Sequence, residues 1–466
     1  MAGNNHYENL ILGSGESGKY LGWTLAKSGQ RTAVVERRLI GGSCPNIACL
    51  PSKNVIYSAK VAELCRRADE FGTVIGSSRT DMAGVLRRKR AMVDGLISLH
   101  LEKFRESGAE LILGEGRFAG PRTIDVGLKD GGVRRLTGER VFLDLGTHAT
   151  IDPIPGLTDA MPLTHVEVLD LDRLPPHLIV LGGGYVGIEM AHAFRRFGSR
   201  VTIVQHGPQL APREDDDVAR AIVRLFEEDG IEIVLSAETL RVEGRSGEKV
   251  RLLLRMPEGQ REIEGSDLLV ATGRTPNTAG IGLETAGVAT DGRGYIRVNE
   301  RLETTASGVW AMGECAGSPQ FTHVAFDDFR VVRDNFVGEK RTTTGRLIPF
   351  CMFADPELAR VGLNETEARS QGIEYRLARL PMDAVLRTRT LSDTRGFMKA
   401  LVDARSDRLL GFTMLGPSAG EVTAVVQTAM LAGMPYTGLR DAIFTHPTMA
   451  EGLNVLFATP PTAAGK

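Results

Sequence analysis

NLILGSGESGKYLGWTLAKSG, residues 9–29, decides the fold. An apolar run leads into Gly13-x-Gly15-x-x-Gly18, and a helix-forming stretch follows. RTAVVE (31–36) then reads as a second strand ending in Glu36. Strand, glycine turn, helix, strand and acid, in that order, form a dinucleotide-binding fingerprint. The glycines let the backbone approach a pyrophosphate, and the helix N-terminus offers it free N–H groups and a positive dipole end. Glu36 stands where a carboxylate accepts from ribose hydroxyls.

The pattern recurs in HLIVLGGGYVGIEMAHAFRRFGSRVTIVQ (177–205), with Gly182-x-Gly184-x-x-Gly187 and a strand ending at Gln205. From first glycine to ribose position the step is the same in both copies, 13 to 36 and 182 to 205. A coincidental turn does not repeat with its spacing. Two such domains imply two dinucleotides, and the usual pair is a flavin and a nicotinamide, because hydride passes between two carriers. RVFLDLGTHATIDPIPGL (140–157) and LLVATGRTPNTAGIGLE (268–284), which contains Gly273, read as crossings out of one nucleotide domain and back. TTASGVWAMGECAG (304–317) is a strand-like run entering Gly313 and Glu314. The expected order is a first flavin segment at 1–150, a nicotinamide domain at 151–275, a return to the flavin domain at 276–343 and a C-terminal α+β domain at 344–466. Alternation in GFMKALVDARSDRLLGFTML predicts antiparallel strands in that last domain, and the tail ATPPTAAGK (458–466) reads as disordered.

Composition sets the broad class. The chain has 466 residues, 42 % apolar and 24 % charged, with a net charge of −2. That is ordinary for a globular protein, with no basic footprint for nucleic acid. The first residues lack a positive n-region and a long apolar h-region, so they do not read as a signal peptide. No apolar run approaches the ~20 residues that span a bilayer. Five cysteines in so long a chain suggest a reducing cytoplasm, where a disulfide is catalytic rather than structural.

Two of those cysteines, Cys44 and Cys49, lie in GGSCPNIACLPSKN (41–54). Zinc needs about four ligands, and no second Cys pair or His cluster stands at ligand spacing. A structural staple is disfavoured by the compartment, so a redox pair is the favoured reading. Five residues of regular helix rise about 7.5 Å, whereas disulfide Cα atoms rarely lie beyond ~7 Å apart. Bonding therefore requires an irregular or bent segment, and Pro45 and Pro51 suit one. Helical periodicity in NVIYSAKVAELCRRADEFG (54–72) puts a helix N-terminus near Cys49, which favours its thiolate.

The ordered motifs closely resemble the class I pyridine nucleotide–disulfide oxidoreductases, which include lipoamide dehydrogenase, glutathione reductase and mercuric reductase. They are Gly13-x-Gly15-x-x-Gly18 with Glu36, Cys44-x4-Cys49 with Ser52-Lys53, Gly182-x-Gly184-x-x-Gly187 with Glu189, ATGRTPN, and His446-Pro447-Thr448 with Glu451. The resemblance runs over residues 7–457. It implies an α/β protein with two Rossmann-like domains, for FAD and NAD(P), and a C-terminal dimerisation domain.

Further roles follow from the resemblance alone. Cys49 matches the charge-transfer thiol beside the flavin, and Cys44 the interchange thiol that attacks substrate. Lys53 and Glu189 match an ion pair at the reactive end of the flavin. Tyr185 matches a lid over the nicotinamide pocket. Glu314 stands where the family has Asp on the ribityl chain. His446 matches an acid/base oriented by Glu451 and supplied by the other subunit, so a homodimer is implied. Electrons then pass from NAD(P)H through FAD and the Cys44–Cys49 disulfide to a small or protein-bound disulfide, or in reverse from a dithiol. Gln205, with His206 beside it and Arg213 nearby, lacks the carboxylate that repels a 2′-phosphate, so mild NADPH preference or dual use is expected.

Departures from the family keep rival readings open. No cysteine follows Cys351, so the C-terminal pair that hands Hg(II) to mercuric reductases is missing, whereas the His-Pro-Thr that disulfide reductases need is present. Ala48 replaces a Gly, and Asp144-Leu145-Gly146 replaces Ala-Thr-Gly. A reductase of metal ions or quinones is the alternative enzyme. A non-catalytic redox-sensing subunit is the third reading, opposed by the retained Cys44, Cys49 and His446.

Overall fold

The structure, a computed structural model, describes residues 5–463. Its first sheet is built on parallel strands His6–Leu12, Thr32–Glu36 and Val133–Leu143. Thr32–Glu36 is buried at every position, as a strand covered on both faces must be. Glu110–Gly120 adds to it in parallel and turns back through the antiparallel strand Thr123–Leu128. Glu110–Gly120 alternates buried and exposed residues, the period-2 pattern of a half-wet sheet. The chain leaves at Thr147–Ala149 and returns at Arg274–Pro276, and these two crossing segments pair antiparallel. Val309–Ala311 then joins Val133–Leu143 in parallel, placing Gly313 at the end of the first sheet.

Between the crossings lies a second parallel sheet, in the order Asp267–Val270, His177–Leu181, Arg200–Val204, Glu232–Val234. A three-stranded antiparallel sheet over residues 238–265 packs with it. Helices Glu16–Lys27 and Tyr185–Phe197 each start directly after the second glycine of a turn. The repeat is exact in its steric logic. A Cβ on Gly18 would stand 2.2 Å from the Gly13 carbonyl oxygen, and one on Gly187 2.1 Å from that of Gly182. Neither turn could close with any other residue there.

From Pro349 onward the chain forms a six-stranded sheet whose strands all pair antiparallel, backed by the helix Ala419–Leu431. The tail differs from its expectation. Thr462 and Ala463 pair with Leu377 and Arg376 and extend this sheet, while 464–466 lie outside the described residues. The helix expected from Asn54 begins earlier, at Cys49, and runs to Arg66. Pro51 is tolerated inside it because a proline in the first turn gives up an N–H that has no intrahelical partner. Among the described residues no helix is long and apolar enough to cross a membrane.

Candidate active site

A cavity of about 320 Å3 opens along the first glycine turn. Gly13, Gly15, Glu36, Gly42, Cys44, Asp144, Gly313, Glu314 and Thr322 all line it. Gly42 has φ +83°, and a Cβ there would lie 2.6 Å from the Gly15 Cα, so only glycine lets the cysteine segment press against the turn. Glu36 is buried, and its carboxylate accepts from the Ser14, Arg38 and Leu39 N–H groups and the Ser14 hydroxyl. Its position at the strand end is fixed before any ribose arrives. Glycines at van der Waals limit, free helix-terminal N–H groups and a positioned acid suit a flavin dinucleotide. A side chain at Gly42 would push the cysteine segment off the Gly15 backbone and reshape that cradle.

The cysteines bracket a break between two helices. Cys44 lies in the short helix Ser43–Asn46, and Cys49 is the first residue of Cys49–Arg66. Both are free thiols within hydrogen-bonding reach of one another. The Cys44 hydrogen bond lowers the Cys49 thiol to about 6 against the pull of burial, with help from Thr322 and Lys53. Cys44 is pushed up, because it donates to Cys49 and is buried. Cys49 is thus the thiolate and Cys44 the proton carrier of the pair. The Thr322 hydroxyl sits 3.1 Å from the Cys49 sulfur and links it to the cavity, which Cys44 lines directly.

One helical turn beyond Cys49, Lys53 Nζ lies 2.8 Å from Glu189 Oε2. The Phe353 N–H donates to Glu189 Oε1 at 2.8 Å, and Lys53 also sits 4.7 Å from the Phe353 ring centre. The ion pair therefore joins the cysteine helix to the helix of the second glycine turn. On that turn the Tyr185 hydroxyl donates to Glu214 at 2.7 Å, and Glu214 lies 3.4 Å from buried Arg360. Burial pushes both Tyr185 and Glu214 up. Gln205 turns its carbonyl oxygen to the Gly183 N–H, 2.8 Å away, which leaves its amide N–H groups as donors. His206 is exposed. Gly184 has open space where its Cβ would be, while Gly273 is exposed on the returning crossing and accepts from the Thr150 N–H.

Three sequence expectations are refined. Glu314 lines the cavity, bonds Thr147 and lies 3.3 Å from Arg274, so its carboxylate is already engaged within the protein. Arg213 is exposed, and its loop is tied to the C-terminal domain through Asn364, which donates to the Arg213 carbonyl at 3.0 Å. His446 holds Glu451 at 2.9 Å on the open surface and lines no part of the cysteine cavity within one chain. Thr322, Glu214 and Arg360 carry no motif and were not legible as site residues. Asp144 was visible only as a departure from Ala.

A flavin-type cradle opening on a thiol–thiolate pair, with a second dinucleotide turn bonded to the same helix, defines a two-dinucleotide thiol oxidoreductase. The chain belongs to the pyridine nucleotide–disulphide oxidoreductases: the family model matches residues 7–328, and the family's dimerisation domain matches 348–456. It is accordingly an FAD-dependent, NAD(P)H-linked disulfide oxidoreductase. It is 37 % identical over 460 residues to the probable pyridine nucleotide-disulfide oxidoreductase RclA of Escherichia coli, covering 97 % of this chain and 99 % of the relative. A mercuric reductase of Acidithiobacillus ferrooxidans is 34 % identical over 452 residues, covering 96 % of this chain and 82 % of the relative. A dihydrolipoamide dehydrogenase of Chaetomium thermophilum is 30 % identical over 449 residues, with 95 % and 88 % covered. Among solved structures, the Cu(II) complex of the HOCl-induced flavoprotein disulfide reductase RclA from Escherichia coli superposes with a TM-score of 0.89 at 36 % identity, covering 98 % of this chain and 99 % of that one.

Proposed function

We propose that Cys44 and Cys49 are the redox pair through which this enzyme reduces a disulfide acceptor. The observation that carries the reading is the unequal pair of thiols: Cys49 is held as thiolate at a helix start, and Cys44 faces the cavity. FAD, held in the cradle of Gly13, Gly15 and Glu36, would supply the two-electron redox chemistry that links the nicotinamide coenzyme to the Cys44–Cys49 pair. His446 takes the proton that Cys44 carries, and the Cys44 thiolate attacks one sulfur of the acceptor disulfide, forming a mixed disulfide and releasing a thiolate. His446, oriented by Glu451, gives that thiolate its proton. Cys49 then attacks Cys44 sulfur, the second acceptor thiolate leaves, and the internal disulfide is restored. Lys53 and Glu189 hold the Cys49 helix against the nicotinamide half, and Tyr185 covers that half's coenzyme pocket.

Because His446 is exposed and away from Cys44 in one chain, it serves a second copy, and the enzyme works as a homodimer. The flavin is held by 1–150 and 276–343, the nicotinamide by 151–275, and the dimer by 344–466, in a reducing cytoplasm. Gln205 with free amide N–H groups favours mild NADPH preference or dual use. A second acceptor class, soft or redox-active metal ions, is favoured by one observation: a solved relative is a Cu(II) complex, and a thiol beside a thiolate is a soft donor set. Quinones remain the third acceptor to screen.

The test is Cys49→Ser. Two-electron reduction of the wild type gives a long-wavelength charge-transfer band, and the variant loses both the band and disulfide reduction. A band that survives overturns the assignment. Turnover with NADPH and NADH against lipoamide, glutathione disulfide, a quinone, Hg(II) and Cu(II) ranks the acceptors.

A further inference from the structure

The internal repeat supplies its own control for one residue of the flavin cradle. Asp144 and Ala271 occupy equivalent places at the ends of matching strands. The Asp144 N–H donates to Leu12 and the Ala271 N–H to Leu181, each strand preceding its glycine turn. A Cβ on Gly13 would meet the Asp144 carbonyl oxygen at 2.2 Å, and one on Gly182 the Ala271 carbonyl oxygen at 2.5 Å. The same backbone is therefore built with a methyl group in one half and a carboxyl group in the other. The fold does not require the carboxyl.

That carboxyl is wedged among the turn glycines and lines the cavity. Oδ2 accepts the Gly18 N–H at 2.7 Å and lies 2.6 Å from where a Gly15 Cβ would stand. Oδ1 faces Gly313, 3.2 Å from its Cβ position, and receives no hydrogen bond from the described residues. No Lys or Arg among them pairs with Asp144. Lys19, on the same helix as the turn, is committed to Glu16 at 2.7 Å. Asp328, packed from the helix Thr322–Phe336, is committed to Arg346 at 2.7 Å. Burial raises Asp144 to about 7, with Glu16 and Asp328 pushing up while the Gly18 N–H and Lys19 pull down. Buried Cys315, pushed up to about 12, is the remaining titratable neighbour and stays neutral.

We propose that Asp144 binds the flavin dinucleotide as a neutral carboxylic acid, its O–H donated into the pyrophosphate side of the cradle, so that flavin retention falls as pH rises. An ionised carboxylate lining the cavity would repel a pyrophosphate that carries two negative charges. Bound flavin therefore holds the proton on Asp144 more firmly than the empty cradle does. Affinity is full below the empty-cradle value near 7 and is lost above it, by up to about tenfold per pH unit until the flavin-loaded value is passed. The inference rests on reading the first turn as the flavin site.

The experiment uses holoenzyme diluted to equilibrium at pH 6 to 9, with released FAD read by its fluorescence. The wild-type apparent Kd rises at least about tenfold between pH 7 and 9. Asp144→Asn keeps one acceptor for Gly18 and one donor for the cavity, and its Kd stays level with pH. Asp144→Ala, which copies the residue at 271, is level as well and covers the case in which the amide variant misfolds. A level wild-type profile, or the same slope in wild type and variants, overturns the role of Asp144. A purified protein that carries no FAD at any pH overturns the flavin reading instead.

Discussion

Replacing Lys53 with Met isolates what the ion pair does for the Cys49 thiolate. Cys49 and Lys53 are one turn apart on one helix, so their side chains start about 5–6 Å apart. Two unit charges near 6 Å at an effective dielectric of about 20 interact by about 3 kcal/mol. Lys53 is 33 % exposed, so solvent screening leaves roughly half of that, about 1.4 kcal/mol or one pKa unit. Glu189 is 7 % exposed, and once its partner is gone its carboxylate opposes the thiolate. The two effects add, and Cys49 should move from about 6 to between about 7 and 8. The helix itself tolerates Met. The assay is a pH titration of the charge-transfer absorbance in two-electron-reduced enzyme. Adding Glu189→Gln to Lys53→Met should return the carboxylate's share, up to about half of the shift. An unmoved midpoint in Lys53→Met, or a double variant shifted as far as the single, would refute the electrostatic coupling.

His446→Ala should slow the dithiol–disulfide half-reaction by about 10²–10⁴-fold, with flavin reduction by nicotinamide unchanged; equal losses in stopped-flow of both halves would make His446 structural. Gln205→Glu should move kcat/KM toward NADH by at least about tenfold, or 1.4 kcal/mol, and a wild type already that selective for NADH contradicts the Gln205 reading. Lys399→Met removes the cation from a buried site where Nζ meets Asp215 at 2.7 Å, Asp217 at 2.8 Å and Glu365 at 3.0 Å; stranding those carboxylates should cost about 3–5 kcal/mol in chemical denaturation at neutral pH. Burial alone would raise Asp215, but Lys399 and Thr366 hold it below its ordinary value. Its share of that stability is present above the unfolded value near 3.9 and fades as pH falls through the lower folded one, so the gap between wild type and variant should narrow in acid.

What the sequence disclosed is what the backbone settles locally. The glycine turns were legible because Gly18 and Gly187 each face a carbonyl five residues upstream. Cys44 and Cys49 were legible as a pair from their spacing, whereas His446 and Glu451 were named only through the resemblance of His446-Pro447-Thr448 and Glu451 to the family's motif. Residues brought from afar were not. Thr322 reaches Cys49 across 273 positions and sits in no motif. Glu214 takes its meaning from Tyr185 and Arg360. Lys399 stands in an alternating strand where a lysine ordinarily faces solvent, yet its side chain is fully buried. The helix start at Cys49 was obscured by Pro51, which reads as a boundary until its place in the first turn is known. The tail's pairing with 376–377 depends on a strand some 85 residues earlier, and its Pro-rich composition conceals it.

The acids around Lys399 carry a consequence for exchanging parts between relatives. Glu214, Asp215 and Asp217 belong to the loop and helix start after the second ribose position, whereas Arg360, Asn364, Glu365 and Lys399 come from the C-terminal sheet and its flanking helix. The contiguous stretch 177–270 looks like a cassette that could be cut out to import another coenzyme preference. It is half of an electrostatic joint. A graft without matching acids would leave Lys399 in the interior with Glu365 as its one remaining carboxylate of the three, and a donor segment moved the other way would carry Glu214, Asp215 and Asp217 away from their cations. A working chimera has to carry positions 360, 364 and 399 along with the coenzyme loop, so the transplantable unit of this protein is discontinuous in its sequence.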